Sequence, residues 1–198
     1  MRLSPEQAMS RTRDAGVRLF QYRNKTGSRK SVYETARKLA KIARDANATF
    51  VVNDHVDIAL AVDADGVHLG QDDLPLKQAR MLLGTTKLIG ISTHNADQAR
   101  AAEREGADYL GFGPIYPTTT KDAGTIQGIA GLANIRKLVT IPIIAIGGIR
   151  PDTVADVFLA GADCVAVIGA ILHAEDLAGA AAAIIKIIDG IPFSGGTR

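Results

Sequence analysis

The chain has 198 residues, 46% of them hydrophobic, and a formal net charge of +2 from 23 Lys+Arg against 21 Asp+Glu. That length carries one large core, and so balanced a charge offers no footing for nucleic acid or an acidic membrane, so any anion selectivity has to be local. MRLSPEQAMS runs into charged residues and no apolar run reaches bilayer length, so the expectation is one cytoplasmic domain over 1–198, with no signal peptide, no membrane span and a loose tail over 190–198.

Ser4-Pro5-Glu6-Gln7 reads as a helix start with a capping box, and Gly16 as that helix's end. Val17 to Tyr22 is a short strand whose exit carries Gln21, Arg23 and Lys25. A helix is expected from about Ser31, with Glu34 completing a second capping box, down to Asn47. The same sentence then repeats. ATFVVND is a strand ending in Asn53 and Asp54, His55 to Ala61 a short helix, and GVHLGQDD a strand ending in Gln71, Asp72 and Asp73. Pro75 to Leu83 is helical, LIGIS ends at Ser92, and Asn95 caps a helix closed by Gly106. Next come the strand from Tyr109, the loop PIYPTTTK, a helix near Ala130 to Val139, the strand IPIIAIGG, a helix from Pro151 to Gly161, CVAVIG, and a last helix ending near Asp189. Cys164, the single cysteine, falls inside that last apolar run and reads as a strand residue rather than a ligand or nucleophile.

THNADQARAAEREGADYLGFG and GIRPDTVADVFLAGADCVAVIG share one order: polar loop, amphipathic helix, Gly-Ala-Asp, apolar strand ending at glycine. Apolar strands alternating with helices predict a parallel sheet covered by helices, the α/β class. Because a polar or glycine exit follows every strand, a (β/α)8 TIM barrel is favoured over an open doubly wound sheet, and Gly147, Gly148 and Gly169 fall where such barrels often hold phosphate. Seven strands are legible, and the chain opens on a helix, so the expected fold is that barrel with its first strand missing.

Collected at the strand exits are Gln21, Arg23, Lys25, Asn53, Asp54, Asp73, Ser92, Thr118, Thr120, Lys121, Gly148, Ile168 and Gly169. Cations alone suit a phosphate ester, and the carboxylates would repel it. A hard divalent cation reconciles them: Asp54 and Asp73 can hold Mg2+ while Arg23, Lys25 and Lys121 neutralise the remaining charge, a set suited to diphosphate as a leaving group. Simpler readings stand beside these. Asp54 and Asp73 both precede helices and can be N-caps, Arg23 and Lys25 can be solvated loop charges, and Gly147-Gly148 can serve a tight turn alone. His68 reads as a satisfied core histidine, and Ser92 has no base or elbow motif nearby in sequence.

QYRNK at 21–25, VVNDHVDIAL at 51–60, ADGVHLGQDDLP at 64–75, IGISTHN at 89–95, GADYLGFGPIYPTTTK at 106–121 and AIGGI at 145–149 together resemble the thiamine phosphate synthase family, in its order and over nearly the whole chain after Val17. The resemblance implies a Mg2+-dependent transferase that joins 4-amino-2-methyl-5-(diphosphooxymethyl)pyrimidine to 4-methyl-5-(2-phosphooxyethyl)thiazole, giving thiamine phosphate and pyrophosphate. It implies pyrimidine diphosphate contacts at Gln21, Arg23, Lys25, Asn53, Ser92 and Lys121, with Arg23, Lys25, Ser92 and Lys121 as the catalytic group, and Mg2+ ligands at Asp54 and Asp73. It implies a thiazole phosphate site at Thr118, Thr120, Gly148, Ile168 and Gly169. Gly169 stands where the family commonly has serine. The partners implied are these small molecules, with a homo-oligomer compatible. The competing readings are a thiazole tautomerase, which would want a general base that the loop PIYPTTTK does not offer, and an inert phosphate-binding barrel.

Overall fold

The computed structural model describes residues 3–118 and 124–192. Within them, strands β1 (Leu19–Tyr22), β2 (Thr49–Asn53), β3 (Gly66–Leu69), β4 (Leu88–Thr93), β5 (Tyr109–Phe112), β6 (Ile143–Ile146) and β7 (Cys164–Ala166) form one sheet in sequence order, parallel throughout. The helices are α1 (Pro5–Asp14), α2 (Arg29–Asp45), α3 (Val56–Ala61), α4 (Leu76–Leu83), α5 (Ala96–Arg104), α6 (Gly128–Arg136), α7 (Val154–Leu159), α8 (Gly169–Leu172) and α9 (Leu177–Asp189). The α/β class and the strand-helix alternation are as expected. The sheet has seven strands among the described residues, with β1 and β7 as its edges, rather than a closed ring of eight.

Strand parity places the core. Phe50, Val52, Val67, Leu69, Ile89, Leu110, Phe112, Ile143 and Ala145 are almost fully buried and pack with Val32, Ala36, Leu39, Ala79, Ala99, Leu132, Val154 and Val157 of the helices. One face of every strand is thus spent on the helices, and alternate residues are left for the other face.

Several boundaries shift for local reasons. Helix α1 begins as read, with Ser4 and Gln7 closing the capping box. Helix α2 starts two residues earlier than read. Ser28 is its N-cap, accepting from the Ser31 backbone N–H at 3.2 Å, and the Ser31 hydroxyl is committed back to the Ser28 carbonyl at 2.8 Å. Residues 150–153 form a turn, closed by the Arg150 N–H on Thr153 Oγ1 at 3.0 Å, so α7 begins after Pro151 rather than on it. The short α8 was not legible as a helix in sequence. Asn47 is left-handed (φ 51°), as its place after α2 suggested.

The recurring aspartate before a strand proves to be a clamp. Asp65, Asp108 and Asp163 each accept, through Oδ2, the backbone N–H of Phe50, Ile89 and Ile143 at 2.7, 2.7 and 2.8 Å. Each returns its own N–H to the same residue's carbonyl at 2.9 Å. Two of the three also hold a guanidinium from the helix that leads into the clamped strand, Arg80 of α4 on Asp108 at 2.5 Å and Arg136 of α6 on Asp163 at 2.9 Å. The motif therefore fixes register at the entry ends of the strands and leaves the exit ends for other work. Asp108→Ala is expected to cost about 2 kcal/mol, since it removes a charge-assisted bond to a backbone donor; chemical denaturation measures this, and an unchanged midpoint would deny the clamp its role.

Candidate active site

Because every strand runs the same way, all exits gather at one rim. Gln21 lies in β1 with Arg23 and Lys25 after it, Asn53 ends β2 with Asp54 after it, Asp73 follows β3, Ser92 lies near the end of β4, Thr118 follows β5, Gly148 follows β6, and Ile168 and Gly169 follow β7. Thr120 and Lys121 lie outside the described residues. A recess of about 350 Å³ lined by Thr49, Asp65, Thr86, Lys87 and Leu88 sits at the opposite, entry ends of the strands.

At the centre of the rim is a charged cluster. Asp54 has left-handed backbone (φ 66°) and its N–H bonds to the His68 carbonyl at 2.8 Å, which ties the end of β2 to β3. Oδ2 of Asp54 meets the Lys25 ammonium at 2.5 Å. The Asp73 carboxyl is in hydrogen-bonding contact with Asp54 and takes the Gly70 N–H at 2.6 Å. The N-cap alternative fails for both: α3 is preceded by His55 and α4 by Pro75, and neither start has a side-chain cap.

The two acids are pushed apart. Burial raises both carboxyls. At Asp73 the bond to Gly70 works against burial, but the hydrogen bond and charge of Asp54 add to it, and its affinity for a proton ends above the ordinary value. At Asp54 burial is outweighed by the bond to Lys25, the bond from Asp73 and the charges of Lys25 and His55, so it ends below. Two carboxyls this close need a proton or a cation between them. Among the described residues no third carboxylate, histidine or cysteine completes a metal cage. Two hard oxygen donors fit a small divalent cation of the kind that takes its remaining ligands from water and phosphate oxygens.

Below that cluster lies a polar chain that sequence reading missed. His68 is only 7% exposed; its Nε2 is 2.8 Å from Ser92 Oγ and its Nδ1 3.1 Å from the Tyr109 hydroxyl, with the two rings stacked at 5.5 Å. A base does stand beside Ser92, 24 positions away in sequence. Its far side faces a phenol rather than a carboxylate, so the arrangement lacks the acid that charges a serine nucleophile's base. Burial, with the Asp108 and Cys164 charges, keeps the Tyr109 phenol protonated by raising its pKa well above the ordinary value. Glycines make the space: a methyl at Gly90 would sit 2.0 Å from Tyr109 Cζ, and one at Gly111 would sit 2.8 Å from His68 Cε1. The signal available in sequence was this pairing of small and large residues, Gly90 and Gly111 against His68 and Tyr109, at matching parity on neighbouring strands. Gln71 adds a bond from Nε2 to the Ser92 carbonyl at 2.7 Å.

The loop after β5 is laced to the exit of β6. Ile115 N–H bonds to the Ile146 carbonyl at 2.9 Å and Tyr116 N–H to the Gly147 carbonyl at 3.0 Å. Gly148 (φ 66°) has the Pro117 carbonyl 2.4 Å from where a Cβ would stand, so glycine is required there by the loop's close approach. That holds the loop as far as Pro117 against the β6 exit, with Thr118 the next residue. Ile168 is 38% exposed immediately before the single turn of α8.

The description Thiamine monophosphate synthase belongs to the family model that matches residues 4–171. The thiamine-phosphate synthase of Shouchella clausii is 46% identical over 185 residues, covering 92% of this chain and 88% of that relative. The thiamine-phosphate synthase of Chloroflexus aurantiacus is 52% identical over 167 residues, 84% of this chain and 77% of that relative. Among solved structures, thiamine phosphate pyrophosphorylase from Pyrococcus furiosus superposes with a TM-score of 0.89 at 38% identity, covering 95% of this chain and 91% of that one. With the matched region spanning the strand exits from Gln21 to Gly169, the chain belongs to the thiamine monophosphate synthase family.

Proposed function

We propose that this protein is a thiamine phosphate synthase that joins the pyrimidine diphosphate to the thiazole phosphate, releasing pyrophosphate. The observation that carries the reading is the Lys25–Asp54–Asp73 cluster set at the same rim as Ser92 and the β5 loop, in a chain of this family. In the reaction the pyrimidine methylene C–O bond breaks, pyrophosphate takes the electron pair, the ring amino group stabilises the cation, and the thiazole nitrogen forms the new C–N bond. Little acid-base chemistry is needed. What is needed is charge neutralisation on the departing group and a fixed position for the nucleophile.

Asp54 and Asp73 would hold Mg2+, which when bound neutralises diphosphate oxygens. Arg23 and Lys25 line the same side of the rim for the remaining charge, with Gln21, Asn53 and Ser92 as polar contacts. Thr118, Gly148, Ile168 and Gly169 are assigned to the thiazole phosphate, and Thr120 and Lys121 are assigned from the family resemblance alone. Residues 1–198 are read as one domain on a (β/α)8 plan whose first strand is missing. Helix α1 packs on both α2 and α9, which supports a closed helical layer around a sheet with β1 and β7 as edges. No helix among the described residues is long and apolar enough to cross a membrane. A cytoplasmic enzyme is the reading that goes with the family, and a homo-oligomer is compatible with it.

The test is direct. Both substrates with Mg2+ are expected to give thiamine phosphate and pyrophosphate in equal amounts. Isomerised thiazole without coupling would replace this reading with a tautomerase, and no turnover of either substrate would leave an inert barrel.

A further inference from the structure

From the chain of contacts between Tyr109, His68 and Ser92, we infer that His68 is a positioning residue, held as its Nε2–H tautomer so that Ser92 turns its hydroxyl proton toward the substrate diphosphate. The inference rests on the functional reading above and adds a residue and an orientation to it.

Tyr109 is 7% exposed, and a phenol O–H that deep needs an acceptor, at a cost of roughly 1–3 kcal/mol if it has none. His68 Nδ1, at 3.1 Å, is in place to accept. A neutral imidazole has one donor and one acceptor nitrogen, so Nδ1 as acceptor puts the proton on Nε2. Nε2, at 2.8 Å from Ser92 Oγ, then donates to the serine. With its oxygen already accepting, the serine's own proton is free to point off the sheet, where the diphosphate is expected. The opposite tautomer reverses every step: the phenol proton loses this acceptor, Ser92 spends its proton on His68, and only lone pairs face an anion. Position is fixed as well as polarity, because the stacked Tyr109 ring and the missing side chains at Gly90 and Gly111 leave the imidazole one orientation. The Gln71 bond to the Ser92 carbonyl steadies the same residue from above.

The experiment has two arms on the full chain. In the first, the nitrogen-15 shifts of the His68 imidazole are read in the free protein. A protonated Nε2 with a bare Nδ1 is expected, and the reverse pattern overturns the proposal whatever the enzyme turns over. In the second, kcat and KM for the pyrimidine diphosphate are compared across His68→Gln, His68→Asn and Ser92→Ala, each checked for a cooperative melt. Glutamine brings an amide N–H to the Nε2 position and is expected to stay within about three-fold of wild type. Asparagine reaches only the Nδ1 position and is expected to lose about ten-fold in kcat, comparable to Ser92→Ala and with little added loss in the Ser92→Ala background. Equal losses in Gln and Asn, or losses that multiply with Ser92→Ala, would make His68 a packing residue and sink the proposal. Should the His68 variants not fold, Tyr109→Phe replaces them: it removes the donor that sets the tautomer, and a mixed imidazole signal with several-fold lower kcat is expected, against an unchanged signal if the phenol sets nothing. A protein that shows the expected tautomer but couples no substrates would reject the synthase reading instead.

Discussion

Asp54→Asn is expected to lower coupling turnover by about 100- to 1000-fold while leaving the fold intact, the scale seen when one preorganised group is removed from a developing charge. Asparagine is the informative replacement because position 54 is left-handed (φ 66°), a region that Asn and Asp both enter. The backbone bond from residue 54 to the His68 carbonyl survives, as does the side chain's size. What goes is one negative charge between Lys25 and Asp73. Lys25 loses its partner at 2.5 Å, and a divalent cation loses one of two oxygen donors. Because Lys25 is half exposed, its lost ion pair contributes little to stability, and removal of the Asp73 repulsion offsets part of that. The measurement is turnover against Mg2+ concentration beside a thermal melt. The expected pattern is a melt close to wild type, a much lower plateau, and half-saturation at higher Mg2+. Wild-type turnover with an unchanged Mg2+ requirement would remove Asp54 from the site.

The parts of this molecule that were legible in sequence are those governed by neighbours along the chain. Capping at Ser4 and Asn95, the left-handed Asn47, and the apolar strands that feed a parallel sheet all depend on residues within a few positions of one another. The parts that were not legible depend on neighbours across strands. His68 looked like an ordinary core histidine because its partners, Ser92 and Tyr109, are 24 and 41 positions away. For Asp54 and Asp73 the sequence left a choice between a Mg2+ pair and two caps, because each precedes a helix; the absence of a side-chain cap at either helix and their placement at adjacent strand exits remove the caps. The Gly-Ala-Asp repeat was visible as a pattern, yet its physical task, the two-way bond between each aspartate and the first residues of the preceding strand, needed the register of the sheet. Closure is a property of two chain-distant strands, and neither β1 nor β7 carries a local signal for what lies beyond its free edge.

Gly90→Ala is expected to be strongly destabilising, costing about 3 kcal/mol and lowering the melting temperature by roughly 6–12 °C for a chain of this size. The added carbon would stand 2.0 Å from Cζ, 2.3 Å from Cε2 and 2.4 Å from the hydroxyl of Tyr109, so the ring has to leave its place. It has nowhere easy to go. One face stacks on His68, its hydroxyl is bonded to Nδ1, and the residue is nearly buried. All three clashing atoms lie beyond the reach of a leucine, which gives the test its control. Tyr109→Leu alone costs stability through the lost phenol bond and the space it leaves, but alanine at 90 then fills part of that space. In a double-mutant cycle the Gly90→Ala penalty is therefore expected to shrink by at least about 1 kcal/mol in the Tyr109→Leu background. Strict additivity would place the strain elsewhere in β4. The cycle also separates folding from function: the double variant regains stability without the phenol that orients His68, so its turnover should stay low even where its melt recovers. Stability and Ser92's orientation thus draw on the same missing side chain at position 90.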